Sequence, residues 1–188
     1  MRFLPLLAAP LMALAPHTVN AAAPKPHAAA QKAKPAQAEA APKSLGTAKN
    51  WSAFSAGSGK SLVCYLVGKP VKTLPEHVNR GRIAANVTHR PGENTFNTVN
   101  FQLGYEAKAS SSAELTIDGK KYELFTAKQG AWAADAETDK TVTLALAKGK
   151  QAVIKAVSEH NKASTDTYSL DGFGQALALI DKACSVKR

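Results

Sequence analysis

Residues 165–184, TDTYSLDGFGQALALIDKAC, constrain the fold more than any other stretch, because the hydrophobic period changes partway along them. Thr165, Thr167 and Ser169 alternate with Asp166, Tyr168 and Leu170, a period of two that suits a half-buried strand. Asp171-Gly172 then turns the chain. From there Phe173, Ala176, Leu177, Ile180, Ala183 and Cys184 fall on one helix face, with Gln175, Asp181 and Lys182 off it. Ser169 or Asp171 is placed to cap the helix by accepting a backbone N–H. A helix this short, with Gly174 in its first turn, is marginal alone in water. It needs a dock where burying Phe173, Leu177 and Ile180 returns roughly 1.5–3 kcal/mol apiece. The expected dock is a sheet face, with Cys184 pinning the far end of the helix.

The rest of the domain supplies the sheet. Apolar alternation marks strands at 51–56, 61–69, 83–90, 95–105, 113–117, 121–126 and 152–157. Asp118-Gly119 between two of these runs predicts a hairpin with a type I′ turn. Residues 130–132 read as a turn or short strand, 70–80 as a loop with two prolines, and 158–164 as a polar loop. Residues 140–146 alternate Val142, Leu144 and Leu146 with Thr141, Thr143 and Ala145, and are expected as a strand, with helix the competing reading because Leu and Ala are good helix formers. Many short strands between Gly, Pro, Asp and Asn turns predict a mainly β fold: an antiparallel sandwich or partly open barrel with one C-terminal helix packed on it.

The N-terminus sets the compartment. Met1-Arg2, an apolar run at 3–15 and the small residues around Asn20 form a secretory signal peptide over 1–23. The apolar run is too short for a membrane span, which needs about 20 residues, and no later run is long enough either. Residues 24–46 are nearly all Ala, Pro, Lys, Gln and Glu, and predict a disordered linker ahead of a domain at 47–188. An exported chain, periplasmic or secreted, can oxidise its thiols. Cys64 lies mid-strand and Cys184 on the buried face of the helix, so the two are expected to form a disulfide.

The net charge is +10, of which +6 falls on 47–188, favouring anionic neighbours without choosing among lipopolysaccharide, lipid head groups, acidic polysaccharide and nucleic acid. Catalytic chemistry is hard to find. The run GSGKS has Phe54 where a phosphate-binding loop needs glycine, and a β-rich run follows it. His77, His89 and His160 lie on unconnected segments without zinc-site spacing, and read as surface or loop residues. Asp166 with His160 could be imagined in a hydrolase, but no nucleophile motif supports the pair. Asp166 reads instead as a strand acid that binds backbone groups or pairs with Arg90. The aromatics are too scattered along the chain for a single-strand stacking platform. No catalytic residue, cofactor site or metal ligand is assigned, no specific nucleic acid is expected, and the only site residues are Cys64 and Cys184.

Several motifs carry a family resemblance: Trp51, the G-K-x-x-V-C-Y-x-x-x-K-P run from Gly59 to Pro70, and V-T-H-R-P from Val87 to Pro91. They continue with the hairpin from Ile117 to Phe125, Gly130-Ala131-Trp132, and T-D-T-Y-S-L followed by Gly172-Phe173, Ala176-Leu177 and Cys184. In order and spacing these resemble the invasion associated locus B (IalB) family, across essentially the whole domain. Asp171, Gly174 and the Glu159-His160-Asn161 loop depart from the family pattern. The resemblance implies an exported cell-envelope or periplasmic protein of mainly alphaproteobacterial type, with a link to virulence and host-cell invasion and no established catalytic residues. The expected function is a non-catalytic interaction protein, binding an envelope or host component, anionic in character, through an edge strand or basic face. The alternatives are a periplasmic small-ligand carrier with a cavity in the β domain, and an unrecognised hydrolase.

Overall fold

The computed structural model describes residues 41–188; the expected signal peptide and most of the expected linker lie outside them. In chain order the elements are β1 (Lys43–Ala48), β2 (Trp51–Ala56), β3 (Val63–Gly68), β4 (Lys72–Leu74), β5 (Ile83–Arg90), β6 (Thr95–Leu103), β7 (Ser112–Ile117), β8 (Lys120–Ala127), β9 (Gly130–Trp132), α1 (Ala136–Lys148), β10 (Gln151–Val157), β11 (Ala163–Ser169) and α2 (Phe173–Ala183). All strands join one antiparallel sheet, in the order β1-β2-β3-β5-β6-β9-β8-β7-β10-β11-β4. β4 follows β3 in the chain but pairs with β11 at the opposite edge. Trp51 of β2 donates its indole N–H to the Ser169 carbonyl of β11 at 2.9 Å. The sheet is therefore rolled until its ends approach, without closing into a barrel.

Alternation decides which side chains face inward. In β3, Cys64 and Leu66 are buried while Tyr65 and Val67 stay half-exposed. Trp51, Leu66, Phe101, Leu115 and Tyr168 fill the inner face, and both helices add to the same core through Val142, Leu146, Phe173 and Ile180. Phe173 meets the Trp51 ring edge-on at 4.8 Å, so α2 docks where the sequence expects it. Asp118 and Gly119 both have positive φ, 45° and 88°, as a type I′ turn requires.

Four details differ from the expectation. Residues 140–146 belong to helix α1. Asp135 caps it by accepting the Thr138 N–H at 2.7 Å, and Val142, Thr143 and Leu146 are buried at helical spacing. Helix propensity prevails over a run whose alternation is equally readable as a strand. β1 begins at Lys43, four residues before the expected domain boundary, because an edge strand needs only the β2 ladder and the packing of Leu45. Three residues of the 70–80 loop form β4 for the same reason. The α2 N-cap is Gly172 and has no side-chain cap; the Ser169 hydroxyl instead accepts the Asp171 N–H.

Asp139 ties α1 to the sheet by accepting the Val99 N–H at 2.7 Å. Burial pushes its carboxyl up from an ordinary 3.8 to about 6; the Val99 bond opposes the rise and nearby Asp135 adds to it. The folded state thus binds this proton more tightly than the unfolded state does. The stabilisation is complete below the ordinary value and is lost as pH rises through about 6. Asp139→Asn keeps an acceptor for Val99 and removes the titration. Urea melts should show this variant gaining on the parent between acidic and neutral pH; a pH-independent difference would disprove the assignment.

Candidate functional site

Cys64 and Cys184 are joined, with their Cα atoms 6.0 Å apart. The bond holds the end of α2 against β3 on the inner face. Opposite Cys64 in the ladder stands His89, which is fully buried rather than the surface residue expected. Its Nδ1 accepts the Asn97 N–H at 3.0 Å, which leaves the ring proton on Nε2 to bond Asp181 at 3.0 Å. Arg188 adds bonds to the same carboxylate at 2.5 and 2.8 Å. Burial raises the Asp181 pKa, but the His89 and Arg188 contacts outweigh it and hold the carboxyl below its usual range. Both ring nitrogens are engaged, so His89 is a strut between sheet and helix rather than a free base. The misreading has a simple source: V-T-H-R-P looks like a polar strand end, yet alternation from Val87 places His89 inward.

Asp166 pairs with Arg80, not Arg90, and the two side chains are almost wholly buried. His160 lies in the turn before β11, exposed beside Glu159, while alternation along β11 turns Asp166 inward. The two are not brought together. Tyr105 and Ser164 share a 2.5 Å hydroxyl bond nearby, and the Arg80 guanidinium lies 5.6 Å from the centre of the Tyr105 ring. His77 is exposed in the loop after β4. Among the described residues no group of three His, Cys, Asp or Glu side chains could hold a metal.

The outer face is chemically different. Register aligns Ser52, Val67, Asn86, Asn100, Trp132 and Phe125 in one row across six strands. A second row runs Phe54, Tyr65, Thr88 and Thr98. The Phe54 and Tyr65 rings stack at 5.4 Å. Asn86 donates to Asn100, and Asn100 to the Ala131 carbonyl, both at 3.4 Å. Trp132 folds back over Gly130, where an added Cβ would stand 2.7 Å from the indole nitrogen, so the bare backbone sets the ring's position. Three adjoining open hollows of about 500, 520 and 340 Å³ lie along this face. Their lining includes Lys49, Lys69, Arg82, Arg90 and Lys128 and no carboxylate; Arg82 borders all three. Aromatics from separate strands thus fall into two cross-strand pairs, Phe54 stacked on Tyr65 and Phe125 opposite Trp132 in the ladder. Alternation within each strand was the available signal, but pairing between strands was needed to join the pairs into one face.

These features define a class: a rolled, disulfide-latched antiparallel domain whose buried ion pair and histidine brace the fold while one outer face is basic and aromatic. The family model described as Invasion associated locus B (IalB) protein matches residues 51–181, from β2 into α2, and the chain belongs to that family. It is not a known enzyme family. No curated protein and no solved structure matches the chain. No helix among the described residues is long and apolar enough to cross a membrane.

Proposed function

We propose that the protein is an exported, non-catalytic interaction protein that binds an anionic envelope or host component through the outer face of β2, β3, β5, β6, β9 and β8. The observation that carries this reading is the set of five basic side chains, with no acid, lining the three hollows. Such a surface steers polyanions toward itself and repels cations. Export is supported by the signal-like N-terminus, the disulfide and family membership. The enclosed-carrier alternative is less well supported, since Trp51, Phe101, Tyr168 and Phe173 occupy the interior of the rolled sheet and the hollows lie outside it.

Heparin binding measured against salt tests the proposal. Affinity should fall steeply as salt rises, through screening and counterion release. Arg82→Ala should weaken binding about tenfold or more, given roughly 1.5–3 kcal/mol for a charge-assisted hydrogen bond. No binding at low salt would reduce the basic face to ordinary surface charge.

A further inference from the structure

Resting on the basic-face reading, we propose that the ligand is a uronic-acid polysaccharide, lying across the strands with its sugar rings on the two aromatic pairs and its carboxylates along a basic rim. Holding a polyanion takes only cations, yet this face also presents four aromatic side chains. Phe125 is 47% exposed, unusual for a residue this apolar. From Trp132 to Val67, beside Tyr65, the row crosses three inter-strand steps, about 14 Å. That span exceeds one ring and suits an oligomer. Flat aromatic faces match the C–H faces of a pyranose.

Between the pairs lies a bed of amides and hydroxyls: Asn86, Asn100, Gln102, Thr88 and Thr98. Amides and hydroxyls donate and accept at once, as sugar hydroxyls do. Thr98 Oγ1 and Gln102 Oε1, buried at the floor of this bed, have no hydrogen-bond partner in the protein.

The cations are arranged to match. Lys69 follows β3, Arg82 precedes β5, Lys128 follows β8 and Lys49 precedes β2, so all four sit along one end of the face. Lys49, Lys69 and Arg82 stand on adjacent strands, one per inter-strand step of about 4.8 Å, and Lys128 lies three steps further, about 14 Å. A carboxylate on each ring fits that spacing better than the multiple charges of a sulfated chain. The planar fork of Arg82, common to all three hollows, is suited to a carboxylate.

The test titrates the full chain at low salt with oligogalacturonate, with polyphosphate, which has no rings, and with oligo(dT). Oligogalacturonate should bind tightest. Phe125→Ala and Trp132→Ala should each weaken it roughly five- to tenfold and leave polyphosphate binding unchanged, while Arg82→Ala should weaken both. Phe125 is a solvent-facing position, so its variant tests the proposal even if Trp132→Ala disturbs β9. Equal binding of polyphosphate, with both aromatic variants harmless, overturns the polyuronate assignment and leaves the basic-face reading standing. Tighter, Trp132-dependent binding of oligo(dT) overturns it in favour of a nucleic-acid surface. No binding to any of the three sinks both readings.

Discussion

Cys184→Ala should lower the unfolding free energy by about 5 kcal/mol, because the bond it removes spans 120 residues. In the chain-entropy model a cross-link of this length strips many conformations from the unfolded chain. A loss of that size is a large share of the roughly 5–15 kcal/mol typical of a domain. It corresponds to a fall in melting temperature of about 10–20 °C. The local consequence is as specific as the global one. Helix α2 starts at Gly172 without a side-chain cap and carries an exposed Gly174, so its own backbone contributes little. Its anchors are Phe173, Ala176, Leu177 and Ile180 in the core, the Asp181 bonds to His89 and Arg188, and the disulfide just past its end. Amide exchange in the variant should therefore rise first over residues 173–184, ahead of β5 and β6. A variant as stable as the parent, with uniform exchange, would show that packing alone seats the helix.

Much of this arrangement is legible in the sequence where a local pattern and its tertiary partner agree. The switch from period two to period 3.6 after Leu170 marks both β11 and α2, and Asp118-Gly119 marks the β7–β8 hairpin with its turn type. The inward pointing of Cys64 and Cys184 follows from the same periodicity. What stays hidden depends on pairing. β1 and β4 are edge strands with few buried side chains, so their ladders define them more than their composition does. Residues 140–146 satisfy either period, and the Asp135 cap and the contacts of Thr143 and Asp139 with β6 decide for helix. The candidate site was the least legible part. Phe54, Tyr65, Phe125 and Trp132 sit on four strands, and only the cross-strand register shows that they share a face. Asp166 shows the same limit at one residue: its inward position is readable, but its partner Arg80 comes from a loop that has no periodicity to read.

That buried pair carries the second large expectation. Arg80→Ala should destabilise the fold by about 3–5 kcal/mol, because it strands a carboxylate in the core. The side chains of Arg80 and Asp166 are 6% and 1% exposed. Asp166 Oδ2 and Arg80 Nη1 have no other protein partner, so neither charge has a substitute counter-ion. Burial already holds the Asp166 carboxyl above its ordinary range, with Arg80 drawing it back down. Without Arg80 the carboxyl rises further, and the folded variant binds its proton more tightly than the unfolded chain does. Stability of the variant should therefore recover as pH falls and worsen as pH rises, so its deficit should be largest at neutral pH and above. A packing defect alone would give the same deficit at every pH. The double variant Arg80→Met with Asp166→Leu separates the charge from the shape: it removes both ions and refills the space, and should return most of the lost stability. If Arg80→Ala costs under about 1 kcal/mol, or its cost does not change with pH, the pair is not the electrostatic brace of the rolled sheet that its burial implies.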